Sequence, residues 1–424
     1  SSSLSVHRPA ARGPTQRASY EPSEAMGLTR ALAASAVLGL AAAAAPSAAN
    51  MDPRKEFEDF KRRFGKTYES SQEEEQRFGI FRGTLERIAE GNKRNGAPVF
   101  GVTYLSDRLP EESYQRGRKG HGDTSFMHKA PVLGEPEGPF TLPKNIDWRL
   151  SRAVTPVKNQ GQCGSCWAFS AAEEVESQYT LHVSDLYSET FSPQQINSCV
   201  ETCDGCGGGD TVVAYEYLKN SPGLSSSFFW PYAQGLTPLD GCTDKQCTQS
   251  CSAHDLSQLQ PYEFYIGPYA QVTGFSYATP PCVGACEDQD LDKLAASVAT
   301  AGPVSVCLNA GSWNDYKGGV LTAKGCGSMA SDAVDHCVQL VGYNTSAEVP
   351  YWIVRNSWAT SFGEEGYIYL EYGANTCGIA NEATVAHVAG QGTAEAKARF
   401  ARHYRMAVGE AVGEAAAARP VVHV

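Results

Sequence analysis

Fourteen cysteines lie between Cys163 and Cys377, and none falls among the first 162 residues of this 424-residue chain. That cluster constrains the fold more than any other feature. It reads as a disulfide-bonded domain made in an oxidising compartment and preceded by a cysteine-free segment. Charge divides the chain at the same place. Asn50–Thr141 carries 16 basic and 16 acidic residues, whereas Leu142–Gly390 carries 10 against 26. A neutral, charge-dense part therefore precedes an acidic, charge-sparse one. The net charge of −12 argues against a nucleic-acid partner, which calls for a basic face. No run of about 20 apolar residues is present to cross a membrane.

The apolar stretch Ala31–Ala45 follows Arg30 and runs into Pro46-Ser47-Ala48-Ala49. A basic flank, a short apolar run and small residues describe a secretory signal peptide over 26–49, cut after Ala49, with Met26 as its start. Residues 1–25 are then an extension or a short Arg/Ser-rich targeting piece. From Asp52 to Asn92 the pattern is helical. Phe57, Phe60, Phe64 and Tyr68 form one stripe, and Phe78, Phe81, Leu85 and Ile88 a second. Val99–Asp107 reads as a short strand and turn, and Gly117–Pro139 as a linker or exposed crossing. Cys166–Leu181 has helical spacing, while Val304–Leu308, Val334–Tyr343, Tyr351–Arg355 and Gly366–Tyr372 read as strands. A helix-rich half followed by a strand-rich half is an α+β chain of two lobes with a cleft between them. The Ala-rich tail Gln391–Val424 reads as a marginal helix or as disorder, and no function attaches to it.

Cys163-Gly164-Ser165-Cys166-Trp167 carries the most chemistry. A C-x-x-C is either a redox pair in a βαβ setting or a structural half-cystine beside a nucleophile at a helix start. No βαβ pattern surrounds it. The whole run Gln160–Phe169 closely resembles the nucleophile segment of the papain family of cysteine peptidases. The resemblance implies Cys166 as nucleophile and Gln160 as the side-chain donor of the oxyanion hole. A thiol at a helix N-terminus meets the positive end of the helix dipole, which favours the thiolate. Of the histidines, His182, His254 and His336 lie in the cysteine-bearing body, with His387 at its margin. Val334-Asp335-His336-Cys337-Val338 resembles the family's histidine segment, and Asn356-Ser357-Trp358 its asparagine segment. Asn356 is then expected to hold the His336 imidazole, and Trp358 to shield that bond. The implied reaction is acyl transfer: thiolate attack on a peptide carbonyl, protonation of the leaving amine by His336, and hydrolysis of the acyl-enzyme.

Glu73, Arg77, Phe81, Ile88 and Asn92 stand at the spacing of the helical motif of cathepsin L-like propeptides, with Thr84 where that motif has Asn. Gly101–Asp107 resembles the strand motif that follows it. Asn50–Thr141 is therefore expected to be an inhibitory propeptide, with maturation near Leu142-Pro143 and removal in acid. Residues 142–390 form the expected peptidase domain, a papain-like two-lobe fold with a helical lobe and a β-barrel-like lobe. The resemblance pairs Cys163–Cys206, Cys199–Cys242 and Cys326–Cys377. It leaves Cys203, Cys247, Cys251, Cys282, Cys286, Cys307 and Cys337 unassigned, with an insertion at about 243–288 carrying four of them. Two extra bridges are expected there; the C-x₃-C spacing also suits zinc, which an oxidising lumen disfavours. Asp210, Thr211, Cys307, Val334, Cys337 and Glu382 map onto the S2 pocket. Cys307 and Cys337 form either a bridge or two soft walls there, and Glu382 pairs with a basic P2 side chain or is solvated. Asn344-Thr345-Ser346 is a glycosylation sequon.

The expectation is a monomeric cysteine endopeptidase of the secretory pathway, lysosomal, vacuolar or extracellular, without cofactor or metal. Its partners are protein and peptide substrates, its own propeptide and cystatin-like inhibitors. The rivals are a thiol–disulfide oxidoreductase and a catalytically silent scaffold of the same fold.

Overall fold

The computed structural model describes residues 52–109, 112, 117, 130–134, 138–186, 189–233, 251 and 269–410. The expected signal peptide, residues 1–25, Cys242, Cys247, much of the 243–288 insertion, most of the Gly117–Pro139 crossing and the end of the tail lie outside them.

Asp52 opens helix α1 (Pro53–Phe64) by accepting from the Arg54 N–H, and Gly65 closes it in the left-handed conformation at φ 62°. Ser70 then accepts from Glu73 N–H and starts α2 (Ser71–Asn95). The helical stretch expected over 52–92 is thus made of two helices, one for each stripe. Both signals were in the sequence: a glycine after a basic last turn, then Ser70 three residues before Glu73. Phe57, Phe60 and Phe81 form a small core of their own, with Phe64, Tyr68, Phe78 and Leu85 packed around it. Thr84 is buried and donates to the Ser106 carbonyl at 2.9 Å, so the departure from the propeptide motif still makes a contact. Of the short strand and turn expected over 99–107, the turn is present at 104–107 and the strand reduces to a single bridge, Phe100 to Tyr316. The Asn92 side chain holds it, accepting from Val99 and Phe100 N–H at 2.9 and 2.8 Å.

The body begins with β1 (Asn145–Asp147), followed by helices α3 (Cys166–His182), α4 (Pro193–Cys199) and α5 (Thr211–Asn220). Next come β2 (Val272–Tyr277), α6 (Leu291–Ala301), β3 (Val304–Leu308), β4 (Val320–Leu321) and α7 (Ala323–Cys326). The chain continues through β5 (His336–Asn344), β6 (Tyr351–Arg355), β7 (Tyr367–Glu371), β8 (Glu382–Val388) and α8 (Ala394–Ala407). The strands form one sheet in the order β2-β8-β3-β5-β6-β7-β4, with β1 also on β5. Only β4–β7 pairs in parallel among these strands.

Two apolar cores result. One packs α6 and Trp148, Trp313 and Trp358 against the sheet; the other packs α3, α4 and α5 around Trp167, Ile196 and Tyr215. Helix α3 lies between them, so its first thirteen residues are all buried, Glu173, Glu174 and Glu176 included. Burying three carboxylates on one helix requires partners. Lys158 lies 2.7 Å from Glu176, and Arg355 lies 3.4 Å from Glu173.

Bridges Cys163–Cys206 and Cys326–Cys377 are present. The expected Cys199–Cys242 bridge is replaced by Cys199–Cys251, with Cα atoms 4.8 Å apart. Closing the longer loop costs only slightly more entropy than the shorter one, so the path of the insertion decides the partner. Cys282 bonds to Cys286 and Cys307 to Cys337, while Cys166 and Cys203 are buried thiols. Of the two alternatives for the tail, helix or disorder, its described part takes the first, as the docked helix α8. Phe400 and Tyr404 of α8 pack on Trp148, and Arg399, Arg402 and His403 gather around Asp185 after α3.

Candidate active site

Cys166 is the first residue of α3, and the preceding turn is held from several sides. The Cys163–Cys206 bridge fixes it from outside. Tyr232 donates to the Gln160 carbonyl at 2.8 Å, and Ser165 donates to the Tyr232 hydroxyl at 2.7 Å. The Gln160 side chain is fully buried, giving one amide N–H to the Cys163 carbonyl at 2.9 Å. Its oxygen accepts from the Ser357 hydroxyl at 2.7 Å, which fixes which end of the amide faces the thiol side. A primary amide carries two N–H groups, so this one can serve a second acceptor.

His336 opens β5, and Asn356 follows the last residue of β6. Because β5 and β6 pair antiparallel, the topology brings the two residues together. His336 Nε2 lies 2.9 Å from Asn356 Oδ1, both side chains fully buried. Asn356 Oδ1 also accepts from Ser357 N–H at 2.8 Å. Nε2 is therefore the protonated nitrogen, and Nδ1 the unprotonated one. Trp358 lies over the imidazole with ring centroids 4.9 Å apart, and Trp313 meets both rings edge-on. Aromatic cover of this kind keeps water from the His–Asn bond and so strengthens it.

Gly117, from the N-terminal segment, crosses the thiol. Its N–H points to Cys166 Sγ at 3.3 Å, and its carbonyl accepts from Gly209 N–H at 2.7 Å. A Cβ at residue 117 would stand 1.7 Å from the Gly164 carbonyl oxygen, so only glycine fits. Burial pushes the Cys166 thiol up to about 11, and the backbone amides of Cys337, Gly117 and Trp167 work against that rise. The depressed thiol expected of a helix N-terminus is therefore not a property of the covered form.

The residues mapped to the S2 pocket divide. Cys307, Cys337, Val334 and Thr211 meet: Thr211 Oγ1 lies 3.7 Å from Cys307 Sγ, and Val334 packs in the same cluster as both sulphurs. Glu382 pairs in register with Cys307, as Cys307 does with Cys337, so the three share one face of the sheet. Asp210 caps α5 by accepting from Val212 N–H at 3.1 Å. Asn344 ends β5, its side chain accepting from Ser346 N–H at 2.9 Å. Sequence reasoning missed Gly117, Ser357 and Tyr232. Ser357 lies inside a quoted segment; the other two are single residues in loops and carry no local pattern.

A model of the papain family cysteine protease matches residues 142–387, and one of the cathepsin propeptide inhibitor domain (I29) matches 57–113. Cysteine proteinase B of Leishmania mexicana is 35% identical over 337 residues, covering 78% of this chain and 68% of that protein. Cysteine proteinase 15A of Pisum sativum is 34% identical over 343 residues, with 76% and 83% covered. Among solved structures, digestive procathepsin L2 proteinase from Tenebrio molitor larval midgut superposes with a TM-score of 0.64 at 30% identity, over 79% of this chain and 100% of that one. The chain belongs to the papain family of cysteine proteases. It is a cathepsin L-like cysteine endopeptidase made as a zymogen, with a propeptide that inhibits it within the same molecule.

Proposed function

We propose that Cys166 is the nucleophile, His336 its base and then its acid, and Asn356 the residue that orients the imidazole. Gln160 and the Cys166 backbone N–H donate to the oxyanion, and Trp358 keeps water from the His–Asn bond. The observation that carries this reading is the 2.9 Å contact of His336 Nε2 with Asn356 Oδ1, which leaves Nδ1 for proton exchange with the thiol. Once Gly117 leaves, the thiol regains the cleft, and transfer of its proton to His336 gives the reactive ion pair. The carbonyl oxygen of the substrate then develops charge against two preorganised donors.

Asn50–Thr141 is the propeptide and 142–390 the peptidase domain, separated by cleavage near Leu142-Pro143. The Cys307–Cys337 bridge, Val334, Thr211 and Asp210 line or border S2, with Glu382 at its base, where its carboxylate pairs with a basic P2 side chain. The enzyme enters the secretory pathway on the signal peptide at 26–49, carries a glycan at Asn344 and acts as a monomer on proteins and peptides in an acidic lysosome or vacuole, or outside the cell. Cystatin-like inhibitors bind the opened cleft.

Intact mass after incubation of the proform near about pH 5 with mild reductant, followed by an epoxide that alkylates reactive thiolates, tests the reading. Loss of the segment before Leu142 and one adduct on Cys166 are expected. Folded protein with neither would establish a silent scaffold, and adducts on both Cys163 and Cys166 a redox protein. Cys166→Ser abolishes turnover. Equal rates on P2-Arg substrates for wild type and Glu382→Gln would remove Glu382 from S2.

A further inference from the structure

We infer that the Cys307–Cys337 disulfide is a positioning element of the catalytic centre, holding the base-bearing end of β5 to β3 beside the nucleophile helix. This rests on the reading of Cys166 and His336 given above. His336 is the first residue of β5, and the β3–β5 ladder starts there: Leu308 pairs with His336, and Cys307 with Cys337. The end of a ladder is where strands fray, because its last pairs have neighbours on one side only. The covalent bond sits one residue inside that end, between two side chains with no exposed surface.

The bond fixes more than a strand pair. Its Cys337 half supplies a backbone amide that favours the Cys166 thiolate. Its Cys307 half lies 3.7 Å from Thr211 Oγ1, in the first turn of α5 on the other lobe. Immediately upstream, Asp335 N–H donates to the Leu308 carbonyl at 3.0 Å, and the Asp335 carboxylate accepts from Ala310 N–H at 2.8 Å. One crosslink therefore sits between the base, an amide donor to the thiolate and the interlobe contact. Fraying of β5 from β3 at this end would loosen all three, and misplacements of about 1 Å can cost catalysis roughly a hundredfold.

The test uses matured enzyme with two double substitutions. Cys307→Ala/Cys337→Ala removes the bond and its volume; Cys307→Val/Cys337→Ala removes the bond but returns much of the volume. Both are compared with wild type for kcat and KM on a P2-Leu and a P2-Arg substrate, and for the rate of Cys166 alkylation by iodoacetamide against pH. Both variants should lose about tenfold or more in kcat on both substrates. The acid limb of alkylation should move to higher pH, as the imidazolium and the Cys337 amide support the thiolate less well. Restoration of wild-type kcat and alkylation profile by the Val/Ala pair would reduce the bond to packing and overturn the inference. A change confined to P2 preference would make it pocket lining only, with the same consequence. Failure of both pairs to fold would make the bond a requirement of the fold and not of the site, and would overturn it as well. Wild-type enzyme that is not alkylated at Cys166 would instead refute the underlying assignment of the site.

Discussion

The propeptide and the catalytic body both set carboxylates against cations, but at different depths, and acid acts on them in opposite senses. In the propeptide, Arg77 reaches Glu112 at 2.5 Å with the two side chains 24% and 35% exposed. Lys66 meets Asp107 at 2.7 Å. In the body, Arg355 and Glu173 are 0% and 1% exposed. Glu112 is held below the ordinary carboxylate value by its hydrogen bond from Arg77. Its stabilisation is present above the unfolded value and is lost as pH falls through the depressed one. Glu174 is pushed by burial up to about 8. Its protonated form is the one the fold prefers, so stability is full below the unfolded value and is lost as pH rises toward 8. Acid thus loosens the inhibitor while the enzyme beneath it gains. Among the described residues, Arg87–Asp315 is the one ion pair that joins the propeptide to the body. Acid therefore acts on pairs within the propeptide such as Arg77–Glu112.

Arg355→Met should have the largest effect. Arg355 donates to the Thr155 carbonyl and to Gln339 Oε1, each at 2.6 Å, and sits beside Glu173. Its removal leaves a buried carboxylate short of a partner, at a cost of about 3–5 kcal/mol. Urea unfolding of the matured variant measures it; a loss under about 1 kcal/mol would show the body's charges to be as replaceable as surface pairs. Next is Gly117→Ala. The new methyl collides with the Gly164 carbonyl, and the strain of about 1–3 kcal/mol should lift the segment from the cleft. Cys166 in the unprocessed proform should then alkylate about tenfold faster or more at neutral pH. A rate equal to that of wild type would mean that side chains elsewhere in the propeptide, and not this backbone contact, keep the thiol covered.

How much of this was legible depended on whether the information was local. Gln160, Cys166, His336 and Asn356 sit in contiguous strings whose neighbours are as characteristic as they are, so each could be placed without knowing the fold. The breaks at Gly65 and Ser70 were legible too, as cap chemistry. The Cys199 partner was not, because pairing depends on the three-dimensional path of a long insertion. Nor was the burial of Glu173, Glu174 and Glu176: alone, Glu is a surface residue, and its partners Lys158, Gln339 and Arg355 are distant in sequence. Docking of α8 was concealed by alanine. Ala396, Phe400, Tyr404 and Ala407 do make a helical stripe, but a stripe so small acquires meaning only once Trp148 is seen opposite it.

Glu174→Gln separates the buried carboxylates by protonation state. Gln178 and Gln339 both donate to Glu174, at 3.0 and 3.2 Å. A neutral amide has the size of the protonated acid and no proton to lose, but its NH2 must face one of these two donors. Thermal unfolding of the matured variant should fall below wild type by about 1 kcal/mol near pH 5. Above pH 8 it should exceed wild type by about 1 kcal/mol or more, because only the wild type then pays for a buried charge. A variant weaker than wild type at both values would mean that Glu174 works as an anion toward Arg355, and the opposition between body and propeptide would lose its buried half.

Glu112→Gln is the smallest change and bears on the other half. The pair with Arg77 is partly exposed, so screening limits it to about 0.5 kcal/mol. Gln cannot take the charge-assisted bond at any pH, so the variant propeptide is loosened already at neutral pH, where wild-type Glu112 is ionised and paired. The pH at which half the proform is processed should rise by a few tenths of a unit, roughly what that energy converts to. The two proteins should converge at low pH, where wild-type Glu112 is itself protonated. The sign is diagnostic. A midpoint displaced to lower pH would mean that Glu112, once ionised, opposes propeptide folding, and acid release would then have to come from other groups.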